Sequence, residues 1–174
     1  GLTKVTIPNS VTDIYSCAFR ECDNLQNITL SDNLIGISNQ MFSGCVDLTS
    51  ITIPKCVAKV GDKAFANCEN LSEIIVDENN TNLCSDNNVL FNKDKTELIL
   101  YPSGKVEKEY VIPDSVVSLN NYAFYGCKNL GTITISKNVA KIGDRLFENC
   151  SNLTCLNYNA INCLSRGNEI YTGT

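Results

Sequence analysis

A 23-residue pattern recurs along the chain and constrains its fold more than any other feature of the sequence. The copy at 48–70 reads LTSITIPKCVAKVGDKAFANCEN. Other copies, with their apolar positions in register, begin at Leu2, Leu25, Leu130 and Leu153. A longer, irregular stretch separates the two regular blocks. A fixed period of this length indicates an array of repeated structural units.

Within one unit, the apolar residues occupy positions that are expected to face an interior. Ile51 and Ile53 alternate with Thr52, which predicts a short strand with one apolar side. The segment 62–68, DKAFANC, has the composition of a single helical turn that places Phe65 inside. One unit has nothing to cover its two flanks, so we expect it to be stable only between stacked neighbours.

The unit resembles that of the BspA-like leucine-rich repeat proteins, which reads roughly LxxIxIPxxVxxIxxxAFxxCxN. The resemblance covers residues 2 to roughly 158. The Ala-Phe step stands at 18–19, 64–65 and 123–124, and becomes Met-Phe at 41–42 and Leu-Phe at 146–147. The resemblance implies an α/β, mostly β, right-handed leucine-rich repeat solenoid. Its parallel sheet would lie on the concave face, with short helical turns on the convex side.

The pattern predicts a single leucine-rich repeat domain over 1–174. Its parts are regular coils at 2–70, an irregular insertion with a hairpin at 71–106, regular coils at 107–152 and a decaying last coil at 153–174. No polar capping unit is recognisable at either end of the repeat pattern. We therefore expect a fragment of a longer array whose exposed end coils favour end-to-end self-association.

Three features of the insertion are interpretable. Leu98 and Leu100 alternate as the strand residues of a regular unit do, so we expect them to add a strand to the main sheet. The run VLFNKDKTELILY also predicts a protruding hairpin, with strands at 89–91 and 98–101. The loop at 77–88 is rich in Asp, Glu and Asn and is the best candidate for a hard cation, although it lacks the glycine and terminal glutamate of an EF-hand.

The ten cysteines fall into two groups. One group recurs at a single repeat position and is expected to form a buried ladder: Cys22, Cys45, Cys68, Cys127 and Cys150. The other group is expected near the surface with its disulfide state open: Cys17, Cys56, Cys84, Cys155 and Cys163. No C-x-x-C pair occurs, so a zinc site is not predicted. Several unpaired surface thiols would suit a reducing or oxygen-poor habitat.

Composition also bears on the class of function. The net charge is −5, without clustered Lys and Arg, which argues against a nucleic-acid partner. The chain has no histidine, so the commonest acid-base group at neutral pH is missing. Glu107 and Glu109 form a pair of carboxylates, but this spacing on a strand is typical of a solvated face. We therefore predict neither an enzyme nor a cofactor, and no apolar run is long enough to span a membrane.

Stacked parallel strands would align their outward residues in columns across the sheet. One column is small and largely uncharged, and its neighbour has an acidic centre. The predicted protein-binding face consists of Thr6, Thr29, Thr52, Glu73, Ile75, Glu97, Glu109 and Thr134. The β-propensity of Thr, Ile and Val explains the same residues without a partner, and both interpretations remain open.

The sequence favours a non-enzymatic recognition module at the cell surface or outside the cell. Such an adhesin-type or surface-antigen domain would bind host, matrix or neighbouring-cell proteins through its concave sheet. The alternative is a cytosolic scaffold for an internal protein partner, favoured by the unpaired thiols. Five Asn-x-Ser/Thr sequons occur, of which Asn79 lies in the irregular loop and is the best candidate acceptor.

Overall fold

The computed structural model describes residues 1–159 and 165–169. These residues form thirteen short strands, which are, in chain order, β1 (Lys4–Thr6), β2 (Asn27–Thr29), β3 (Ser50–Ile53), β4 (Glu73–Val76), β5 (Leu83–Asp86), β6 (Val89–Asn92), β7 (Glu97–Leu100), β8 (Glu109–Val111), β9 (Ser118–Leu119), β10 (Thr132–Ile135), β11 (Lys141–Ile142), β12 (Cys155–Tyr158) and β13 (Ser165–Arg166). They belong to a solenoid of seven coils, which begin at residues 2, 25, 48, 71, 107, 130 and 153.

One strand near the start of each coil contributes to a face that we call the front. Its strands pair in parallel as β1-β2, β3-β4 and β8-β10-β12, so the front consists of three separate ladders. Lys4 lies opposite Asn27, and Ser50 lies opposite Glu73. Each pair is one sequence period apart, which confirms the 23-residue register.

The opposite side of the solenoid carries a second sheet, which we call the back sheet, in the order β13-β11-β9-β7-β6-β5. Leu98 of β7 lies opposite Leu119 of β9 in parallel. The prediction that Leu98 and Leu100 add a strand to the main sheet is therefore wrong. The reason is the hairpin: β7 pairs with β6, which pairs with β5, and β5 begins at the back position of the fourth coil.

The predicted hairpin is present, with Phe91 opposite Leu98 in antiparallel pairing. Strand β5 was not anticipated; it joins β6 through Asn87 and Asn88, whose positive φ angles of 48° and 65° suit a tight hairpin turn. The expected protrusion is also wrong, because the side chains of Val89, Leu90 and Phe91 are buried between the two ends of the solenoid. The insertion therefore forms part of the core.

The expected helical turns are absent from the described residues, which contain no helix. The segment around Phe65 is instead a series of turns that we call the corner of the coil. Lys63 and Asn67 have positive φ angles of 54° and 59°, and the corresponding Tyr122 and Gly126 have 56° and 69°. Residues in the left-handed region interrupt an α-helix, so alternate N–H groups of a corner point to the next coil rather than along a helix axis.

The core consists of stacked positions from successive coils, in two clusters joined by the insertion. In the first cluster Phe42 lies between Phe19 and Phe65, with ring centroids 5.6 and 5.3 Å away. In the second, Phe124 lies 5.4 Å from Tyr101 and 5.5 Å from Phe147. Tyr101 thus takes the phenylalanine position of the fourth coil. Each ring buries its faces against neighbouring coils, as the repeat model requires.

The last coil is described only in part. Leu156 and Tyr158 continue the front strand in β12, as expected. Ile161, Cys163 and Leu164, on which the expectation of a decaying coil depended, lie outside the described residues. Within the described part of the chain there is no helix long and apolar enough to cross a bilayer.

Candidate functional site

The predicted binding face lies mostly on the front, in two parallel rows that we call the front strip. Its outer row comprises Thr6, Thr29, Thr52, Ile75, Val111, Thr134 and Asn157, and its inner row comprises Lys4, Asn27, Ser50, Glu73, Glu109, Thr132 and Cys155. Thr6 is in register with Thr29, and Thr52 with Ile75. These four side chains are exposed, whereas Thr134 is half-buried.

Glu97 does not belong to this strip. It begins β7 in the back sheet, lies opposite Ser118 and is half-buried. Its backbone N–H donates to Asn92 Oδ1 at 2.8 Å, which fixes it at the base of the hairpin. Of the three glutamates of the expected acidic centre, only Glu73 and Glu109 lie on the front. They belong to two different ladders, β3-β4 and β8-β10-β12, which do not pair with each other.

The candidate cation loop has a structural explanation. Asp77 Oδ1 accepts hydrogen bonds from the backbone and side chain of Asn79, at 2.8 and 3.2 Å. Asn80 is fully buried; it donates to the carbonyls of Pro54 and Val57 and accepts from two backbone N–H groups. No group of three or more Cys, Asp or Glu side chains suited to a metal occurs among the described residues. The polar side chains of this loop hold its backbone to the third coil.

Asparagine side chains form a ladder at one bend of the solenoid. Asn70, Asn129 and Asn152 each donate from Nδ2 to a carbonyl of the preceding coil, at 3.0, 2.8 and 2.6 Å. These side chains satisfy backbone groups that the bend leaves unpaired. Two of the sequon asparagines, Asn70 and Asn152, are therefore already engaged in structural hydrogen bonds.

Four cysteines of the ladder are buried, namely Cys45, Cys68, Cys127 and Cys150. Cys22 in the first coil is half-buried. The buried thiols do more than fill space. Cys45, Cys68 and Cys150 donate from Sγ to the carbonyl of the aromatic residue in the preceding coil, at 3.1, 3.1 and 2.9 Å. Burial raises the pKa of Cys45 to about 12 and that of Cys68 further, so these thiols remain protonated at neutral pH.

The second group of cysteines lies at or near the surface, as expected. Cys17, Cys56 and Cys155 are exposed, Cys84 is half-buried, and Cys163 lies outside the described residues. All nine described cysteines are free thiols in the structure. Cys84 donates to the carbonyl of Asn92 at 3.2 Å, so its position in β5 is fixed by the hairpin.

The carboxylate pair at 107 and 109 has an ordinary environment. Burial disfavours ionisation of Glu107, but backbone hydrogen bonds and Lys105, whose Nζ is 3.0 Å away, outweigh it and lower the pKa of Glu107. Glu107 is therefore ionised at neutral pH and holds the nearly buried Lys105. A carboxylate with a lowered pKa is a poor general acid at neutral pH.

The sequence analysis missed a cleft on the back, at the junction of the two regular blocks, which we call the seam cleft. It has a cavity volume of about 20 Å³ and lies between the corner of the third coil, residues 99–103 and the corner of the fifth coil. A spacing in the sequence indicates it. Leu98 is followed by Tyr101 after three positions, whereas Leu119 is followed by the equivalent Phe124 after five. The fourth coil thus has a shortened corner.

Comparison with known proteins identifies the repeat. The sequence model described as BspA type leucine rich repeat region matches six copies, over residues 1–107 and 100–173. No curated protein matches the chain.

Several solved structures share the fold. A leucine rich cell surface protein from Faecalibacterium prausnitzii is 32% identical with a TM-score of 0.80, over 90% of this chain and 41% of that one. The pneumococcal vaccine antigen PcpA is 30% identical with a TM-score of 0.82, over 90% of this chain and 39% of that one. A leucine-rich repeat protein from Eubacterium ventriosum is 30% identical with a TM-score of 0.69, over 91% and 54%. The chain thus spans about two fifths of the first two proteins.

Proposed function

Because the chain belongs to the BspA-type leucine-rich repeat family, we propose that it is a non-enzymatic protein-binding module of a bacterial cell surface. It contacts host, matrix or neighbouring-cell proteins through the front strip. Structural neighbours described as a cell surface protein and a vaccine antigen support the surface location. The fold is a scaffold for recognition, since its repeated strands present side chains on a surface that is ordered before binding.

The exposed, in-register outer row of the front strip is the observation that carries this proposal. Thr6 and Thr29 in one ladder, and Thr52 and Ile75 in the next, stand outward. The inward residues are half-buried in the first ladder, at Val5 and Ile28, and buried in the second, at Ile51 and Ile74. Short side chains lose little rotational freedom when a partner covers them, so contact with a protein surface costs little entropy. A strip of this kind suits a broad protein contact rather than the enclosure of a small molecule.

Charge indicates the chemistry of the partner. Glu73 and Glu109 are exposed beside the outer row, and the net charge of the chain is −5. A partner whose contact surface carries lysine or arginine around an uncharged centre would be complementary, and its association would slow as salt increases.

The proposal is tested by binding of purified matrix and host cell-surface proteins to immobilised chain, measured by surface plasmon resonance. We expect saturable binding to at least one protein of the panel, and loss of at least tenfold in affinity in the double variant Thr29→Lys and Thr52→Lys. Ser115→Lys, an exposed change outside the strip, is the matched control and should bind as the unmodified chain does. Equal binding by both variants would show that the strip is not the contact surface.

A cytosolic scaffold that uses the same strip on an internal partner is the second candidate. Among the described residues, three exposed free thiols favour it, because such thiols persist in reducing compartments: Cys17, Cys56 and Cys155. Mass spectrometry of alkylated protein from its native source distinguishes the two. Disulfides among these cysteines in the native protein would eliminate the scaffold, and retention in the cytosolic fraction would favour it over the surface module.

A further inference from the structure

The corners of regular coils are joined by backbone hydrogen bonds at fixed positions of the repeat. The donors of the second coil, which bond to the third at 3.1, 2.8 and 2.8 Å, are the N–H groups of Gln40, Phe42 and Gly44. The donors of the fifth coil, which bond to the sixth at 3.0, 3.1 and 2.9 Å, are those of Tyr122, Phe124 and Gly126. Each of these corners thus satisfies its alternate N–H groups on the next coil.

This ladder is incomplete at the seam cleft. In the third coil, the equivalent N–H groups of Lys63 and Phe65 have no acceptor among the residues that the structure describes. On the opposite wall, within the same residues, the carbonyls of Asn121 and Tyr125 have no donor. The shortened corner of the fourth coil contributes a bond from Tyr101 N–H to a carbonyl of the fifth coil at 2.8 Å. The cleft is therefore bordered by backbone donors on one wall and backbone acceptors on the other.

The cleft has room for a buried water molecule and for little else. Its cavity volume is about 20 Å³, and a buried water needs about 10–15 Å³. Lys63, Phe65, Asn121 and Tyr125 all line the cleft, and Phe65 is only 3% exposed. Buried waters make about three hydrogen bonds each, to polar groups that the protein would otherwise leave unpaired. Both the size and the lining of the cleft meet these requirements.

Side chains close the cleft and limit what can enter it. Lys63 Nζ lies 3.2 Å from Glu148 Oε1, and Asn121 Nδ2 donates to Asp62 Oδ2 at 3.3 Å. The Lys63 ammonium also lies 4.5 Å from the ring centroid of Tyr122. These contacts tie the third coil directly to the fifth and sixth coils, so a ligand larger than a few atoms has no room.

The mixed lining selects a neutral molecule that both donates and accepts hydrogen bonds. The N–H groups of Lys63 and Phe65 would hold an anion, but the carbonyl oxygens and the Glu148 carboxylate would repel it. A cation would suit the carbonyls but would lie beside the Lys63 ammonium. Water has two protons to donate and two lone pairs that accept, so it satisfies both walls at once.

We propose that the seam cleft binds a structural water molecule that joins the two regular blocks of the solenoid. The water accepts from the Phe65 N–H and donates to carbonyls of the opposite wall, where Asn121 and Tyr125 lie. It takes the place of peptide groups that the shortened corner of the fourth coil lacks. The site is separate from the front strip and does not depend on the function proposed for that surface.

Water–amide nuclear Overhauser effects in the ¹⁵N-labelled full chain test the proposal in solution. A buried water stays in place longer than surface water, so the Phe65 amide should show a laboratory-frame effect opposite in sign to its rotating-frame effect. Proton exchange with water gives both effects the same sign and is thereby distinguished. The Phe42 amide occupies the equivalent position but donates to the Ala64 carbonyl at 2.8 Å. It is the matched control and should show no contact with water.

A crystal structure of the same chain provides the second measurement. We expect one ordered water within hydrogen-bonding distance of the Phe65 nitrogen and of a carbonyl oxygen on the opposite wall. A direct hydrogen bond from the Phe65 N–H to a protein carbonyl, a dry cleft, or equal water effects at Phe65 and Phe42 would overturn the proposal. Neither measurement depends on binding of matrix proteins, so failure of the front-strip function leaves this result unchanged.

Discussion

Replacing Tyr101 by phenylalanine should stabilise the protein. Tyr101 is 1% exposed, and its hydroxyl has no hydrogen-bond partner among the described residues. Burial raises the pKa of this hydroxyl, as expected of a polar group held away from water. The corresponding position in other coils is phenylalanine, for example Phe42 and Phe124. The substitution removes only the oxygen atom, so the ring keeps its contacts and no large cavity forms.

The magnitude follows from the desolvation of the hydroxyl. Removing a buried, unpaired polar group recovers about 1–3 kcal/mol in the free energy of unfolding. With a urea m-value of about 2 kcal/mol/M, a gain of about 1 kcal/mol raises the denaturation midpoint by about 0.5 M. Urea unfolding monitored by circular dichroism measures this shift. Tyr15→Phe, at a side chain that is 89% exposed, is the control and should change stability by less than about 0.5 kcal/mol. A lower midpoint for Tyr101→Phe at an unchanged m-value would refute the reasoning, because it would show that the hydroxyl is hydrogen-bonded.

Three further predictions concern packing, the seam and pH. Phe42→Ala should lower the free energy of unfolding by about 3–5 kcal/mol, measured in urea, because it leaves a void between two stacked rings. Phe19→Ala, at a half-buried ring in the first coil, should lower it clearly less. Equal losses would contradict the stacking. Lys63→Met should destabilise the protein by about 2 kcal/mol, because it leaves Glu148 without its ion-pair partner. A double-mutant cycle with Glu148→Gln should show a coupling energy between the two side chains, and additive effects would contradict a direct pair. For Cys45, the folded pKa of about 12 exceeds the ordinary 9.0, so the unfolded chain loses its proton first as pH rises. The contribution of Cys45 to the free energy of unfolding should therefore be complete below pH 9 and fall by up to about 1.4 kcal/mol per pH unit above it. Urea midpoints measured from pH 8 to 11 should fall less steeply in Cys45→Ala than in the unmodified chain. Identical pH dependence of the midpoints would contradict this.

The cysteine ladder shows what a repeat position can and cannot reveal. Its recurrence predicts burial, and Cys45, Cys68, Cys127 and Cys150 are buried. Recurrence does not reveal that all four of these thiols donate to carbonyls of the preceding coil. A small apolar residue and a weak donor give the same pattern in a sequence, and only the position of the neighbouring backbone distinguishes them.

The alignment of residues in the front strip agrees with the prediction where the repeat is regular and differs from it where the repeat is interrupted. Thr52 and Ile75 align because both occupy the same position of adjacent 23-residue units. Glu97 was assigned to the same face because Leu98 and Leu100 alternate, and alternation identifies a strand but not its sheet. The antiparallel hairpin decided the sheet, because β7 must lie beside β6.

The sequence by itself determined the period, the register of the front strands and the side chains that stack inside the solenoid, because apolar residues repeated at one spacing can be buried together in only one way. The tertiary structure decided which sheet receives β7, how the corners turn and how the corner of the fourth coil is shortened. These features depend on which coils lie next to each other after the insertion, and a pattern within one unit carries no information about its neighbour. The seam cleft arises there, since the corner of the fourth coil is two residues shorter than that of the fifth.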